Sequence, residues 1–294
     1  GRFDTKTNDG SLINRATIPA YDGLVLLKPI NEIVEGSFIN GSFARIFEAD
    51  GRLKRSGFFI YDKSLPGGSQ IIKTDINNDG NKETIVSYQG EISIYDYQKR
   101  QLKKISPYGN NYKGSISIAI AKNEQGQKNI IISPISGQSN LIKILNADLS
   151  ESNRNFYAYN AKQKNLGANI SACDLNNDGI SEIIAGAGRG GGPHVKVFDL
   201  NGQLLNEWFA YSKLFRGGVN VSCLKSGDEP AQIITGVGWG GGPHLRIFDS
   251  QGNLARQWFA YDKTKRQGVT IKTLDIDGDG LEEIGALSVG IFSQ

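Results

Sequence analysis

Three short stretches of the chain concentrate oxygen-bearing side chains at one repeated spacing. They read DINNDGNKE (Asp75–Glu83), DLNNDGISE (Asp174–Glu182) and DIDGDGLEE (Asp275–Glu283). Each has Asp or Asn at positions one, three and five, glycine at position six, and glutamate at position nine. Oxygens at these positions, with one backbone carbonyl, can surround a hard cation, and calcium takes about six to eight oxygen ligands. The central glycine permits the sharp turn that brings the two halves of the loop together.

The sequence therefore predicts three calcium sites, since the clustered acids repel one another unless a cation lies between them. Magnesium requires a stricter octahedron and fits less well. The alternatives are an Asx-rich turn with solvated acids and an EF-hand, which needs a longer loop and flanking helices. The predicted ligands are Asp75, Asn77, Asp79, Asn81 and Glu83; Asp174, Asn176, Asp178, Ile180 and Glu182; and Asp275, Asp277, Asp279, Leu281 and Glu283. Asn81, Ile180 and Leu281 would contribute their backbone carbonyls.

A longer repeat surrounds these loops. The segment EIIAGAGRGGGPHVKVFDLNGQLLNEWFAY, which starts at Glu182, returns from Gln232 as QIITGVGWGGGPHLRIFDSQGNLARQWFAY. Weaker copies are marked by an aromatic-tyrosine element, which ends at Tyr21, Tyr61, Tyr108, Tyr159, Tyr211 and Tyr261. Each unit contains four short segments rich in β-branched and aromatic residues, separated by Asn-Gly, Asp-Gly and Gly-Gly turns. A four-stranded unit of about 40–50 residues repeated in this way is typical of a β-propeller.

The predicted fold is all-β: one six-bladed propeller of four-stranded antiparallel blades that spans residues 1–294. Five blades are predicted at residues 22–61, 69–108, 115–159, 168–211 and 218–261. The sixth would combine residues 268–294 with 1–21, because pairing the two ends of the chain removes free sheet edges. Seven blades, or a fragment whose half-blades pair elsewhere, are the alternatives. The acidic loops would join strand A to strand B in the second, fourth and sixth blades.

The pattern DxNxDGxxE, followed by a glycine-rich turn and VxVFD, resembles the FG-GAP/VCBS repeats of integrin alpha chains and bacterial surface proteins. The resemblance is strongest over residues 168–283. It implies calcium in the A–B loops and an extracellular or cell-surface location. The chain departs from the family pattern at the last loop position, which is glutamate in all three loops where the family often has aspartate. No signal peptide is visible at Gly1, so secretion is an expectation from the resemblance alone.

The B–C and D–A connections of such blades lie on the rim opposite the acidic loops. This rim would carry GAGRGGGPH and GVGWGGGPH together with several cations. We expect a protein or glycan ligand there, with Arg189, Trp239, Arg216 and Arg266 as candidate contacts. The alternative is that the glycines only allow close blade packing. A phosphate loop is not indicated, since the Gly-Lys-Ser/Thr ending is missing and a strand follows.

Composition and the remaining motifs argue against other classes of function. The 33 basic and 30 acidic residues balance too closely for a general nucleic-acid binder, and the apolar runs are too short to span a membrane. Cys173 and Cys223 lack metal-ligand spacing, and we expect two free, buried thiols. The paired residues of sibling units are interpreted as structural: His194 with His244, and Trp208 with Trp258.

The sequence shows no catalytic constellation outside the repeat, so we predict a calcium-binding adhesion or interaction module rather than an enzyme. Two alternatives stay open. One is a propeller-fold polysaccharide lyase or hydrolase, for instance one that uses Tyr112 or Lys113. The other is a structural subunit of a surface appendage or larger assembly. The sequence leaves the oligomeric state open.

Overall fold

A computed structural model of the chain describes residues 5–6, 12–13, 35–60, 62, 64–225, 227, 229–276 and 279–288. Regular structure in these residues consists of β-strands alone, and none of them belongs to a helix that could cross a membrane. The strands in chain order are β1 (Thr5–Lys6), β2 (Leu12–Ile13), β3 (Glu35–Ile39), β4 (Ser42–Phe47), β5 (Leu53–Ile60), β6 (Gln70–Thr74), β7 (Glu83–Tyr88), β8 (Glu91–Tyr95), β9 (Gln101–Ile105), β10 (Ile116–Lys122), β11 (Lys128–Pro134), β12 (Leu141–Leu145), β13 (Phe156–Tyr157), β14 (Ala168–Cys173), β15 (Glu182–Ala187), β16 (His194–Phe198), β17 (Leu204–Phe209), β18 (Val219–Leu224), β19 (Gln232–Val237), β20 (His244–Phe248), β21 (Leu254–Phe259), β22 (Thr270–Asp275) and β23 (Glu283–Ser288).

The strands form four-stranded antiparallel blades, as predicted. Blade I contains β6 to β9, blade II β10 to β13, blade III β14 to β17, and blade IV β18 to β21. Blade V contains β22, β23, β4 and β5 in that spatial order. The first strand of each blade is its inner strand A, and the inner strands of successive blades are neighbours. The molecule is therefore a β-propeller in which each blade packs on the next.

The chain ends meet in blade V, but not through the residues that the sequence suggested. Strand β23 pairs with β4, with Gly285 opposite Ile46. Residues 42–60, rather than the predicted residues 1–21, supply the outer strands of this blade. The prediction that residues 42–60 belong to a separate blade at residues 22–61 is therefore wrong. The physical reason is the hydrophobic register: Ala44 and Ile46, both 0% exposed, pack with the inner core of blade V. Most of residues 1–34, including the first part of the blade predicted at residues 22–61, lie outside the described residues, so a further blade there stays a prediction.

Strand β3 lies between the inner strands of blades V and I. It pairs antiparallel with β22 through Gly36 and Leu274, and with β6 over residues 36–39. Gly36 has φ +119°, and a Cβ there would lie 2.9 Å from the Leu274 Cα, so glycine is required for this close approach. Phe38, 2% exposed, joins the apolar layer between the two blades. Strand β3 thus joins the inner strands of blades V and I through hydrogen bonds on both of its edges.

The hydrophobic core is divided into layers, each between two adjacent blades. One layer joins blades I and II through Ile85, Ile118 and Ile132, and the layers between later blades are built in the same way. Because each blade has only a thin sheet of its own, these layers supply most of the apolar burial, as in other repeat architectures.

The repeated tyrosines latch each blade to the next. Tyr211, which follows strand D of blade III, places its hydroxyl 3.0 Å from the Thr235 carbonyl and 2.9 Å from the His244 carbonyl of blade IV. A cation from the same neighbouring blade covers the tyrosine ring: the Arg246 guanidinium carbon lies 4.9 Å from the centroid of the Tyr211 ring. Tyr108, Tyr159 and Tyr261 make equivalent contacts under Lys143, Lys196 and Arg45.

The two repeated tryptophans also pack between blades. Trp208 lies against Gly252, in the C–D turn of blade IV, and a Cβ at this glycine would lie 2.9 Å from the indole. Trp258 lies in the same way against Gly51, in the C–D turn of blade V. This equivalence independently identifies residues 42–60 as the outer half of blade V.

Candidate metal centres and ligand-binding rim

The three acidic loops adopt one conformation at the A–B connections of blades I, III and V. In each loop the first aspartate accepts a hydrogen bond from the N–H of the central glycine: Asp75 from Gly80 at 3.0 Å, Asp174 from Gly179 at 2.7 Å, and Asp275 from Gly280 at 3.0 Å. These glycines have φ between 85° and 89°, a left-handed conformation that the turn requires. Because each loop follows its inner strand directly, the three loops lie on the same rim of the propeller.

The last glutamate of each loop folds back toward the loop's start. Glu83 accepts the Ile76 N–H at 3.0 Å, Glu182 accepts the Leu175 N–H at 2.7 Å, and Glu283 accepts the Ile276 N–H at 2.9 Å. All three glutamates are buried, with 1% to 7% of their surface exposed. Each loop therefore places a buried carboxylate against its own first turn.

The acids of the first two loops interact unfavourably with one another. Burial raises the pKa of Glu83, and the charges of Asp79 and Asp75 raise it further. Burial and the charges of Asp178 and Asp174 raise the pKa of Glu182 in the same way. Among the described residues, no cationic side chain forms an ion pair with these six acids. A bound divalent cation would relieve this repulsion, and the donor set of carboxylate, amide and carbonyl oxygens fits calcium.

The oxygens of these loops mostly accept hydrogen bonds from the loop backbone. Asp79, for example, accepts the N–H of Asn81 at 2.7 Å, and its own N–H donates to Asn77 at 3.0 Å. In the described part of the chain, no three side chains of the His, Cys, Asp and Glu types gather closely enough to hold a metal ion. Asp277, one of the predicted ligands, lies outside the described residues. The residues thus fit calcium by the type of their donor atoms, while their arrangement around an ion stays a proposal.

A disulfide lies next to the second acidic loop. Cys173, the residue before Asp174, is bonded to Cys223 of blade IV, and their Cα atoms are 6.2 Å apart. The expectation of two free thiols is wrong. Neighbouring inner strands approach within the range of Cα separations that a disulfide spans, about 4.4–6.8 Å. The 50-residue separation of the two cysteines, equal to one repeat, was the sequence signal for this neighbourhood.

A lysine from another strand of the chain forms an ion pair with the third acidic loop. Lys54, on β5, places its ammonium 2.5 Å from Glu283 and 3.6 Å from Glu48. The side chain of Glu283 is only 2% exposed and that of Lys54 is 21% exposed, so this ion pair is largely screened from water. The sequence does not indicate Lys54, because its place beside Glu283 depends on the pairing of residues 42–60 with blade V.

On the opposite rim the structure brings together three of the four predicted contact residues. Arg189 and Trp239, from the B–C turns of blades III and IV, stack with 5.0 Å between the guanidinium carbon and the ring centroid. Trp239 is 56% exposed. The Gly190 N–H donates to the Arg216 carbonyl at 2.9 Å, so Arg216 belongs to the same part of the rim. Arg266 lies at the equivalent place of the next blade, in a separate groove.

The paired histidines, interpreted as structural from the sequence, and Tyr112, offered for the lyase alternative, are all engaged in the fold. His194 stacks on Phe209 and His244 on Phe259, with ring centroids 4.5 and 4.6 Å apart. Tyr112 is 7% exposed, and its hydroxyl lies 2.8 Å from the Ser115 carbonyl and 3.0 Å from the Ser136 carbonyl. Burial raises the pKa of Tyr112, which disfavours its use as a base.

A small cavity lies between the inner strands at the propeller axis, with a volume of about 180 Å³. Lys272 lines it, and burial lowers the pKa of this lysine to about 8. Drug-sized ligands occupy pockets of roughly 300–1,000 Å³, so this cavity is smaller than the usual ligand-binding site.

Comparison with known proteins adds little to this picture. No family model and no curated protein matches the chain, so the resemblance to FG-GAP/VCBS repeats stays a prediction. Similar solved structures include the Dos1 propeller, with 14% identity and a TM-score of 0.43. The match covers 86% of this chain and 64% of the Dos1 chain. The Vibrio cholerae biofilm matrix protein Bap1 has 15% identity and a TM-score of 0.42, with 79% of this chain and 41% of its own covered. A protein of unknown function from Bacteroides caccae has 12% identity and a TM-score of 0.42, with 77% and 73% covered. Similarity at this level carries no argument about function.

Proposed function

We propose that the protein is a calcium-stabilised, extracellular binding module, in which the acidic loops of one rim hold calcium and the opposite rim binds a protein or glycan. The observation that carries the proposal is the shared geometry of the three acidic loops. Each places a buried glutamate in one short turn with at least two further acids in its sequence, and in the first two loops burial and the charges of those acids raise the pKa of the glutamate. Such an arrangement is costly for folding unless a cation compensates it.

Calcium would hold the loops through the predicted side chains and the carbonyls of Asn81, Ile180 and Leu281. Its role would be structural, because the loops lie at the ends of the inner strands and bond to the neighbouring blades. The Ser181 N–H donates to the Lys122 carbonyl of blade II at 2.9 Å, and the Lys225 N–H donates to Glu282 of blade V at 2.9 Å. Ordering an acidic loop therefore stiffens an inter-blade contact as well.

The extracellular location is supported by the Cys173–Cys223 disulfide, since such bonds persist mainly in oxidising compartments. Millimolar extracellular calcium would also suit loops with one acid-rich turn and few fixed ligands.

Thermal unfolding with and without calcium tests the proposal. A site that binds only the folded chain adds about 2.7 kcal/mol when free calcium exceeds the Kd a hundredfold. We expect a clear rise of the Tm with calcium, a fall with chelator, and little response to magnesium at the same concentration. Equilibrium dialysis with metal analysis would give the number of ions bound. An unchanged Tm together with no bound calcium would refute the metal part of the proposal.

Asp174→Asn and Asp178→Asn in one chain provide a matched variant, because Asp174 is only half-buried, Asp178 is exposed, and the amide preserves their size. We expect this variant to retain its fold and to lose about one bound ion relative to the parent chain, as fewer charged oxygens weaken calcium binding.

A further inference from the structure

Two equivalent grooves lie side by side on the rim opposite the acidic loops. The groove of blade III, of about 310 Å³, is lined by Gly191, His194, Phe209, Lys213 and Arg216 among others. The groove of blade IV, of about 510 Å³, is lined by Gly242, His244, Phe259, Lys263 and Arg266 among others. Corresponding residues come from the B–C turn, strand C, strand D and the D–A connection of each blade. The repeat has thus produced the same concave site twice.

Each groove has an aromatic surface. The rings of His194 and Phe209 are nearly parallel, with an interplanar angle of 11°, and those of His244 and Phe259 have an angle of 17°. Phe209 and Phe259 are 39% and 49% exposed. The Lys213 ammonium lies over the Phe209 ring, 5.2 Å from its centroid, so the ring of Phe259 is the more open of the two to a ligand. Burial lowers the pKa of both histidines, which keeps them neutral at pH 7.

Each groove also has two cations that lack an acidic partner. In the part of the chain that the structure describes, no carboxylate lies within ion-pair distance of Lys213, Arg216, Lys263 or Arg266. Arg216 donates through Nη1 to the Lys213 carbonyl at 2.5 Å and the Phe215 carbonyl at 3.0 Å. Arg266 donates in the same way to Lys263 at 2.6 Å and Lys265 at 2.9 Å. These bonds fix each guanidinium in its loop and use only one of its nitrogen atoms, which leaves donors for a carboxylate.

The remaining charged groups near the grooves differ between the two blades. In blade III, Glu207 lies 3.1 Å from His194 and 3.2 Å from Lys196. In blade IV the corresponding residue is Gln257, which accepts a hydrogen bond from Arg246 at 3.1 Å. The groove of blade IV therefore lacks the charge of Glu207, and the carboxylate beside it is Asp262, which interacts electrostatically with Lys265 and Lys263.

We propose that the two grooves bind an acidic polysaccharide, with one acidic sugar residue in each groove. The carboxylate of the sugar pairs with Arg216 or Arg266, and the apolar face of its ring lies on Phe209 or Phe259. Charge-assisted, bidentate contacts of arginine suit a planar carboxylate, and an aromatic side chain offers a rigid apolar surface at low entropic cost. A single chain that reaches both grooves gains affinity through effective concentration. This inference rests on the proposed binding role of the rim.

The test is the affinity for an oligogalacturonate long enough to reach both grooves, measured by titration calorimetry against its fully methyl-esterified counterpart. We expect binding of the acidic oligomer and at least tenfold weaker binding of the neutral ester. Arg266→Ala is expected to weaken binding about 10-fold to 100-fold, which corresponds to a charged hydrogen bond. Arg216→Ala is expected to have a smaller effect because of Glu207, and the double variant should abolish measurable binding.

Lys265→Ala is the matched control. It removes the same charge from the same loop as Arg266→Ala, but Lys265 does not line the groove. Its affinity should stay within about twofold of the parent chain, since an exposed charge beyond the contact acts only through screened solvent. The Tm of every variant is measured beside the affinity, so that a loss of fold is recognised.

Three outcomes would overturn the inference: equal binding of the ester, equal loss with Lys265→Ala and Arg266→Ala, or equal binding of a single-stranded DNA oligomer, which would indicate a general affinity for polyanions. A sulfated glucan that binds as tightly as the galacturonate would keep the acidic-glycan class but would show that the carboxylate is not specifically recognised. Each of these results is independent of the calcium-dependent Tm, so the failure of the groove and the failure of the calcium proposal can be told apart.

Discussion

Blade III and blade V follow one pattern and are held in the ring by different means. Blade III is one continuous stretch of chain, and its acidic loop begins beside the disulfide between Cys173 and Cys223. Blade V joins residues 270–288 to residues 42–60, and its acidic loop ends at Glu283, which pairs with Lys54. The repeat thus specifies the fold of each blade, while the residues that differ between repeats specify the contacts that join each blade to its neighbours.

The largest expected effect comes from a core residue of strand C, tested in both blades. Ile46 in blade V and Val197 in blade III occupy equivalent positions, 0% and 3% exposed. We expect Ile46→Ala to lower the free energy of unfolding by about 2–5 kcal/mol, through lost burial and a residual cavity. Val197→Ala removes fewer atoms and should cost less.

Hydrogen exchange separates local loosening from opening of the ring. In Ile46→Ala, amides of β4 and β23 should lose protection together, because only non-covalent contacts join them. In Val197→Ala the loss should remain within blade III. If β23 keeps its protection while β4 exchanges freely, these strands do not close the ring as one unit.

The next effect is that of the disulfide, which fastens blade III to blade IV. The double variant Cys173→Ser, Cys223→Ser should lose about 2–4 kcal/mol of stability, chiefly because the unfolded chain gains freedom. Chemical denaturation with and without reductant measures it, and reductant should destabilise the parent chain but not the double variant. A parent chain with two thiols that titrate freely under denaturing, non-reducing conditions would contradict the bond.

Much of this architecture could be predicted from the sequence, because the pattern of Tyr, Gly-Gly and Asn-Gly motifs is a local signal of each blade. The four strands of blades III and IV and the position of the acidic loops follow from it directly. The pairing of residues 42–60 with blade V does not follow from it, although SFARIFEADG aligns with HVKVFDLNG as a strand C and its turn. Strands that are close in the sequence were assigned to the same blade. Residues 42–60 instead contact residues more than 200 positions away, as in the hydrogen bond from Arg45 to the Ala260 carbonyl.

The candidate sites divide in the same way. The loop residues and the pairing of Arg189 with Trp239 follow from the repeat, since equivalent positions of adjacent blades are neighbours. Lys54 could not be placed beside Glu283 without the closure. The disulfide was missed for a different reason: the distance between adjacent inner strands is set by the small radius of the ring, which no local motif reveals.

The tyrosine latches provide a smaller test of the same comparison. Tyr211 contacts two carbonyls of blade IV and also accepts a hydrogen bond from Thr235 at 3.1 Å, whereas the contact of Tyr261 with blade V is to the Ala286 carbonyl at 2.7 Å. We expect Tyr211→Phe to cost about 1–2 kcal/mol and Tyr261→Phe to cost less, because Tyr211→Phe also removes a partner of the Thr235 hydroxyl, whereas the equivalent residue of blade V, Ala286, has no hydroxyl.

The latches also predict a dependence on alkaline pH. Burial raises the pKa of both tyrosines in the folded chain, while in the unfolded chain tyrosine ionises near pH 10. The folded state therefore binds more protons above about pH 10, and stability falls as the pH rises through that range. Thermal unfolding from pH 8 upward should show this fall, and each Phe variant should show a shallower one. Parallel curves for the parent and variant chains would contradict the assignment.

The smallest expected change in stability, and the sharpest test of the comparison, is Lys54→Met. A single, partly exposed ion pair contributes up to about 1 kcal/mol, and methionine preserves the packing of the lysine stem. In the parent chain the ammonium already pairs with Glu283, so calcium at the third loop must compete with it, whereas within the described residues Glu83 and Glu182 show no such ion pair and accept hydrogen bonds from the loop backbone. We therefore expect Lys54→Met to lose little stability without calcium and to bind calcium more tightly at the third loop. Lys54→Arg keeps the charge and serves as the control. Calcium titration calorimetry of the three chains measures the change, and equal third-site affinity in the Met and Arg variants would show that Lys54 has no part in the metal chemistry of blade V.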